Sequence, residues 1–429
     1  MAAERRGSAV VVLGWRFRAL VAAHAVSAYG TFLNLIALSL FSYEVTGTAL
    51  GVAALMATRL LCGVGAGLVA GRLLTRVTRR TVLIGTDLAQ AAAMTVLALC
   101  AAHPPLRLLL AVTVVMGAGN TLFNVALRSA VPVMVGARGR VRANGVLVSA
   151  RSVATVLGFA SAAPVIGHSG YAGAFAVNAA SFVVSAAAVI ALRPRTDEAP
   201  SHAPTASAPR PRRRTAGLGG LLLGMVLLRG VDALASSSHN IALPVVAHTG
   251  APSDPAGFMT RFWAAWAVGT FLAHQVLKRR RHDTAWSERA FAVGTCVMSL
   301  SFTAAFTGLP AWGLVAAAAA AGFADGSTEI VYTSRLQTAP DQERSRLFGL
   351  SAMAETTGFA LGTVAAGAAL EALPAPAVVA VFHAIAVCGA VALFTAAGSG
   401  TGGCPPSSSA QEREDTHGTR TGAGSAHGS

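Results

Sequence analysis

Apolar residues fill the chain in long runs, and short polar segments rich in arginine separate these runs. An α-helix needs about 20 mostly apolar residues to cross the hydrocarbon core of a bilayer. Runs of this length recur along the sequence and predict an all-α membrane protein with twelve transmembrane helices. The predicted helices lie at about 17–42, 49–70, 81–102, 106–130, 143–167, 171–192, 217–247, 255–277, 287–308, 311–334, 348–370 and 375–397.

The composition supports this interpretation and excludes two other classes of protein. Hydrophobic residues make up 54% of the 429 residues and charged residues only 12%, whereas soluble domains carry about 25% charged residues. So few charges do not cover the surface of a soluble enzyme, and so apolar a chain is not intrinsically disordered. The five cysteines show no CxxC spacing and indicate neither a disulfide framework nor a zinc site.

The formal net charge of +15 raises the possibility of a nucleic-acid partner, but the positions of the charges argue against it. Nearly all Lys and Arg outside the predicted helices fall in the segments on one side of the membrane, and Arg107 alone lies in an outer loop. Cytoplasmic segments retain Lys and Arg. We therefore expect a multi-pass protein of the cell membrane with both termini in the cytoplasm.

The polar segments divide the chain into four parts. Residues 1–192 form a first group of six predicted helices and residues 216–397 a second group. Residues 193–215, rich in Pro, Ala and Arg, are expected to be a flexible cytoplasmic loop. Residues 398–429, rich in Gly, Ser and Thr, are expected to be a disordered cytoplasmic tail.

The two halves resemble each other in sequence. Thr58-Arg59 aligns with Thr260-Arg261, and Arg140 and Arg142 align with Arg344 and Arg346. Each half has an even number of predicted helices, so the two repeats have the same orientation. Parallel repeats separated by a loop indicate a transporter with its site between the halves. We expect two six-helix bundles related by a pseudo-two-fold axis.

The segment after the second predicted helix resembles a motif of the major facilitator superfamily. It reads Gly71-Arg-Leu-Leu-Thr-Arg76-Val-Thr-Arg79-Arg80, against the family pattern G-x-x-x-D-[RK]-x-G-[RK]-[RK]. The nearest resemblance is to drug and siderophore efflux exporters of the transmembrane secretion effector type, over about residues 16–397. It implies a gating role for Gly71, Arg76, Arg79 and Arg80.

The sequence departs from this family at two acidic positions. Thr75 stands where the loop motif has an acid, and Thr31 stands where this branch commonly has an acid after a glycine of the first helix. Asp87, near the cytoplasmic end of the third helix, is expected to partner the basic loop in place of the missing acid.

Carboxylates inside predicted membrane helices are the main candidates for chemistry, because ionisable groups there are costly. Asp325 and Glu329 on the tenth predicted helix are spaced i, i+4 and share one face. Two carboxylates this close do not both ionise cheaply, which suits a site for a proton or a cationic substrate. Structural pairing with Arg or Lys remains the alternative. Asp232 on the seventh predicted helix is a further candidate, although Arg229 one turn earlier is placed to pair with it.

Three arginines and one acid match across the repeat. Arg151 and Glu355 occupy equivalent positions with opposite charges, so either they pair across the interface or each pairs within its own half. Arg59 and Arg261 are also equivalent. They are suited to attract an anionic substrate, to neutralise buried acids, or to extend toward the membrane surface.

Uncharged polar residues within the predicted helices are candidates either for substrate binding or for helix packing. They are Tyr29, Asn34, Asn120 and Asn124. The histidines lack metal-ligand spacing, and no phosphate-binding loop or hydrolase motif occurs. We therefore expect no enzymatic activity, no metal and no cofactor, and the partners are a small-molecule substrate, protons and the lipid bilayer.

The sequence predicts a monomeric proton antiporter that exports a small amphiphilic molecule. The abundance of Ala, Arg and Gly is typical of a high-GC bacterium, and with the efflux resemblance it suggests that the substrate is an antibiotic or other secondary metabolite. Three alternatives stay open at this stage. They are an importer or uncoupled facilitator, a non-transporting membrane sensor or partner-binding protein, and a membrane-embedded transferase.

Overall fold

The computed structural model describes residues 14–196, 220–279, 288–337, 339 and 341–399. All regular secondary structure in these ranges is α-helical. The helices are α1 (Trp15–Thr46), α2 (Ala49–Arg76), α3 (Arg79–Leu99), α4 (Leu106–Leu192), α5 (Gly220–Gly250), α6 (Pro255–Arg279), α7 (Glu288–Ala305), α8 (Ala311–Gln337), α9 (Asp341–Leu370) and α10 (Ala375–Ser399). The prediction of an all-helical protein is confirmed.

Helix α4 is interrupted at two glycines. Gly136 has φ 69° and ψ 171°, and Gly170 has φ 64° and ψ −174°, and neither conformation is helical. Glycine reaches these angles without a steric penalty, whereas other residues rarely do. An unbroken helix of 87 residues would be about 130 Å long at 1.5 Å per residue. The glycines therefore divide α4 into three segments of membrane-spanning size.

The observed helices lie close to the predicted ones, but several predicted loops are partly helical. Helix α2 continues to Arg76, α4 continues through residues 131–142, and α9 begins at Asp341. The segment between residues 130 and 143 was predicted as a loop, but its backbone is helical on both sides of Gly136. Most of the predicted central loop (197–215) and of the predicted tail (400–429) lie outside the described residues. Eight helical segments of the described chain are long and apolar enough to cross a membrane.

The helices pack in two groups. Helices α1 to α4 pack mainly on one another, and so do α5 to α10. We call them the N-terminal group and the C-terminal group. The main contacts between the groups join α4 to α6 and α2 to α9.

Among the described residues, the two groups are joined tightly at one end. The largest apolar cluster contains Phe41, near the end of α1, together with Phe159 of α4 and Phe262 of α6. We call this the sealed end, where α1 ends and α2 begins. Near the opposite end, the cluster around Phe17 lies within the N-terminal group and the cluster around Leu336 lies within the C-terminal group. The groups therefore diverge away from the sealed end.

Polar and aromatic contacts reinforce the sealed end. The ring of Phe159 stacks on Trp263 with 5.5 Å between centroids, and the backbone N–H of Ala163 donates to Oγ1 of Thr260 at 3.0 Å. The backbone N–H of Leu50 donates to Oε1 of Glu371 at 2.9 Å. Each contact joins the N-terminal group to the C-terminal group, so all three must break before this end opens.

Candidate functional site

Arg229 on α5 is the centre of a carboxylate cluster. Its Nη2 atom lies 2.6 Å from Oε2 of Glu329 on α8, and its Nε atom lies 3.5 Å from Oε1 of Glu355 on α9. Its Nη1 atom lies 3.5 Å from Oδ2 of Asp232, one turn further along α5. One guanidinium therefore links three helices of the C-terminal group. We call these residues, together with Asp325, the acidic cluster.

Asp325 makes the acidic cluster strongly unbalanced in charge. It lies one turn before Glu329 on α8, within electrostatic range of Arg229, and its side chain forms no ion pair among the described residues. Four carboxylates thus surround one guanidinium, a net charge of −3 if all are ionised. Charges in a low-dielectric interior must be neutralised or paired. The cluster is therefore suited to take up protons or a cation.

The acidic cluster is partly open to solvent. The side chain of Asp232 is 7% exposed, whereas those of Glu329 and Glu355 are 47% and 39% exposed. A hydrogen-bonded chain holds Glu355 in place. The hydroxyl of Tyr332 donates to Oγ of Ser351 at 2.7 Å, and Ser351 donates to Oε1 of Glu355 at 2.8 Å. Arg229 also lies over the Tyr332 ring, with Cζ 5.8 Å from its centroid.

A second polar site lies inside the N-terminal group, around a cavity of about 130 Å³. We call it the basic cavity. Arg59 on α2 and Arg151 on α4 line it, with Asp87 on α3 and His24 on α1. Amide and aromatic side chains complete the wall, among them Gln90, Asn120, Asn124, Phe32, Phe123 and Phe182.

The polar groups of the basic cavity are poorly paired. Neither Arg59 nor Arg151 forms an ion pair among the described residues. Arg151 lies over the ring of Phe32, with Cζ 5.3 Å from its centroid. Oδ2 of Asp87 and Nδ1 of His24 are buried without a hydrogen-bond partner. Buried polar groups normally have partners, so this arrangement needs an explanation.

Glycines bring the helices of the basic cavity together. A Cβ atom on Gly117 of α4 would overlap the carbonyl oxygen of Arg59, and a Cβ on Gly158 would lie 2.7 Å from the carbonyl oxygen of Tyr29 on α1. Both positions require glycine because backbone approaches backbone. The close approach of α4 to α1 and α2 is what brings Arg151 and Arg59 to one cavity.

A larger cavity of about 610 Å³ lies between the two groups. Its wall includes Arg59 and Asn120 from the N-terminal group and Asn240 and Thr356 from the C-terminal group. Arg59 and Asn120 also line the basic cavity. The two cavities therefore share a wall, and a ligand entering between the groups meets the basic cavity directly.

The sequence repeat aligns Arg151 with Glu355 and Arg59 with Arg261, but the two members of each pair have different surroundings in the structure. Glu355 pairs with Arg229 in its own group, and no Arg151–Glu355 pair forms among the described residues. Arg261 lies 3.5 Å from Oδ2 of Asp254, and its side chain is 44% exposed. The structure thus brings Arg59 to a cavity and leaves Arg261 near the surface.

The uncharged candidates separate into cavity and packing residues. Nδ2 of Asn124 donates to the carbonyl oxygen of Asn120 at 2.7 Å, and both line the basic cavity. The hydroxyl of Tyr29 accepts a hydrogen bond from Ser161 at 2.9 Å. Asn34 is 1% exposed, and its Oδ1 has no hydrogen-bond partner. Tyr29 and Asn34 are not among the residues lining either cavity.

The basic segment between α2 and α3 is tied to its own group of helices. Nε of Arg79 donates to Oγ of Ser129 at 3.1 Å, and Nη2 of Arg80 donates to the carbonyl oxygen of Ile190 at 3.1 Å. Gly71 and Arg76 are exposed. Within the part of the chain that the structure describes, no ion pair joins Asp87 to this segment, and the Asp87 side chain lines the basic cavity.

One buried histidine pair is not predictable from the sequence. Nδ1 of His239 on α5 lies 3.2 Å from Nε2 of His383 on α10, and the His239 ring stacks on Phe302 with 3.8 Å between centroids. The two histidines are 144 positions apart, so only the packing of α5 against α10 reveals the pair. Within the described ranges, no group of three or more His, Cys, Asp or Glu could hold a metal ion.

Comparison with known proteins identifies the family and the fold. A family model described as the Major Facilitator Superfamily matches residues 20–334, which is more than half of the chain. A search of curated proteins gave no match.

Two solved structures are similar to the whole described chain. The POT family transporter PepTSo has 11% sequence identity, with a TM-score of 0.69 over 90% of this chain and 98% of its own. The nucleoside transporter NupG has 12% identity, with a TM-score of 0.68 over 89% of this chain and 99% of its own. At these identities the similarity shows a shared fold, and it says nothing about the substrate.

Proposed function

The chain belongs to the Major Facilitator Superfamily, and from this premise we propose that it exports a small amphiphilic molecule across the cell membrane in exchange for protons. Family membership makes it a membrane transporter with a small-molecule substrate. The direction of transport, the coupling ion and the chemical class of the substrate are the proposal. We extend it to an antibiotic or other secondary metabolite because the basic segment after α2 resembles that of efflux exporters.

The proposed arrangement is two six-helix bundles with both termini in the cytoplasm. The breaks at Gly136 and Gly170 divide α4 into three segments, which gives six segments in each group. The exposed Arg72 and Arg76 lie at the end of α2 that is remote from the sealed end. If Lys and Arg mark the cytoplasmic side, the sealed end faces outward and the cavities open inward. We propose that a monomer carries out transport.

The observation that carries the proposal is the acidic cluster. Three carboxylates contact one guanidinium in the C-terminal group, a fourth, Asp325, lies within electrostatic range of it, and Glu329 and Glu355 are accessible to solvent. Such a cluster binds protons when no other cation occupies it. Because the positive charge of Arg229 lies among the carboxylates, a movement of Arg229 changes the number of protons that they bind. Exchange of protons for substrate needs this kind of linkage between charge and conformation.

The cavity between the groups fits an amphiphilic substrate. Its apolar wall includes Leu35, Met56, Val64 and Phe359. The polar contribution comes from Arg59, Asn120 and Asn240. A mostly apolar wall with a few polar groups is the usual form of a small-molecule site, and here it has room for a molecule with an apolar body and one or two polar groups.

The experiment is transport into inverted membrane vesicles with and without an acid-inside pH gradient. The probes are radiolabelled benzenesulfonate and benzyltrimethylammonium, whose permanent charges prevent passive crossing as neutral forms. We expect the gradient to accelerate uptake of at least one probe. Asp325→Asn and Glu329→Gln should abolish this acceleration, whereas the control Glu44→Gln, which changes an exposed acid at the end of α1, should preserve it.

Three results would contradict the proposal. Absence of uptake of both probes, relative to vesicles without the protein, would remove the export function. Uptake that ignores the gradient would replace antiport with uncoupled transport. Unchanged gradient-driven uptake in both acid variants would show that the acidic cluster does not couple protons.

A further inference from the structure

We propose that Arg59 and Arg151 bind an oxyanion of the substrate (a carboxylate, sulfonate or phosphate) in the basic cavity, and that the substrate is therefore an amphiphilic monoanion. The inference rests on the proposed function only in calling the ligand a substrate. Binding itself needs no gradient and no particular direction of transport.

The first argument is charge balance. Two guanidinium groups and one carboxylate, Asp87, line the basic cavity. With His24 neutral, their net charge is +1. An uncompensated charge that is withdrawn from water costs free energy. The half-buried Arg59 and the more exposed Arg151 form no ion pair with any acid among the described residues. One bound monoanion would neutralise the cavity, whereas a cation would add to the imbalance.

The second argument is the hydrogen-bonding chemistry of the wall. Guanidinium groups present several N–H donors in a plane that matches the oxygens of carboxylates, sulfonates and phosphates. The amides of Gln90, Asn120 and Asn124 line the same cavity and offer further donors. The basic cavity is thus built for a ligand that accepts hydrogen bonds.

The third argument concerns the rest of the ligand. The rings of Phe32, Phe123 and Phe182 line the basic cavity. The Phe123 ring already stacks on His24 with 5.5 Å between centroids. Planar apolar walls favour an aromatic or similarly flat body. Because Arg59 also lines the larger cavity between the groups, a bulkier body can extend there.

The test measures equilibrium binding of small aromatic probes to the full-length purified protein by isothermal titration calorimetry. The anionic probes are benzoate, benzenesulfonate and phenyl phosphate. The neutral and cationic counterparts are benzamide and benzyltrimethylammonium. We expect at least one anion to bind at least tenfold more tightly than both counterparts, because only an anion neutralises the cavity.

The variants Arg59→Gln and Arg151→Gln should each weaken binding of that anion at least tenfold. The matched control is Arg289→Gln. Arg289 lies over the Phe394 ring with Cζ 5.5 Å from its centroid, a contact like that of Arg151 on Phe32, but on the C-terminal group and away from the basic cavity. This variant should keep the wild-type affinity. Arg59→Lys and Arg151→Lys preserve the charge and should retain part of the binding, which tests the site if a Gln variant does not fold.

The proposal would be overturned if none of the three anions bound to the wild type, or if they bound equally to both Gln variants. Displacement of the bound anion by added phosphatidylglycerol would assign the cavity to a lipid headgroup and would also overturn it. Binding in this assay without uptake into vesicles would leave the anion site standing and remove only the transport proposal. Uptake driven by the gradient without arginine-dependent binding would remove the anion site and leave the transport proposal standing.

Discussion

The two groups of helices carry opposite charge at their polar centres. In the N-terminal group, two arginines without an ion pair to any described residue line one cavity with one aspartate. In the C-terminal group, one arginine is surrounded by four carboxylates. The repeat-equivalent residues Arg151 and Glu355 show the inversion directly. Residues that the sequence repeat aligns therefore differ in charge and in partners.

The two groups differ in how their charges are paired as well as in the sign of those charges. Arg229 holds carboxylates from three helices, so it contributes to the stability of its group. Arg59 and Arg151 form no ion pairs with the described residues, as the proposed anion site requires. Removal of an arginine should therefore have different consequences in the two groups, and the following predictions test this difference.

The largest expected effect is that of Arg229→Gln. The change leaves Asp232, Glu329 and Glu355 facing one another without a cation. Loss of the partner of a buried charge such as Asp232 costs about 3 kcal/mol or more, whereas the half-exposed Glu329 and Glu355 add less because water screens them. We expect a marked fall in the midpoint of thermal unfolding in detergent. Addition of Glu329→Gln to this variant should restore part of the stability, because it removes one of the uncompensated charges. A variant as stable as the wild type would show that Arg229 is not a structural link.

An intermediate effect is expected at the glycines that bring helices together in both groups. A Cβ on Gly117 would overlap the carbonyl oxygen of Arg59, and a Cβ on Gly322 would overlap that of Trp266. Gly117→Ala and Gly322→Ala should each cost about 1–3 kcal/mol, the usual penalty for overpacking. Only Gly117→Ala displaces Arg59, so only this variant should also weaken binding of the anionic probes. Equal loss of binding in both variants would contradict this distinction.

The smallest effect on stability is expected for Arg151→Gln. The change removes a cation–π contact with Phe32, worth about 0.5–1 kcal/mol at a partly exposed site. It also removes a charge that lacks an ion-pair partner, which offsets part of that loss. The unfolding midpoint should stay close to that of the wild type. A loss of stability as large as that of Arg229→Gln would mean that Arg151, like Arg229, stabilises the packing of its group.

The sequence was sufficient to predict most of the helices. Runs of about 20 apolar residues have few structural alternatives, because a bilayer satisfies no backbone hydrogen bonds. The segment around Gly136 was an exception: its three arginines resemble a loop by composition, but they follow a glycine that only interrupts the helix. Composition alone does not distinguish these two cases.

The site was predicted less completely, because it depends on how the helices are rotated against one another. The i, i+3 spacing of Arg229 and Asp232 indicated their pairing, which is confirmed at 3.5 Å. Nothing local indicated that Glu329 and Glu355, from two other helices, share the same guanidinium. For the same reason the repeat did not reveal that Arg59 lines a cavity while Arg261 pairs with Asp254.

The sealed end contains natural fluorophores. Trp263 is 7% exposed and stacks on Phe159 of the other group, with Trp266 5.6 Å away. Indole emission moves to longer wavelengths when water reaches the ring. Separation of the two groups at this end would hydrate Trp263, so the wavelength of its fluorescence emission would report the conformation of the unlabelled protein in real time.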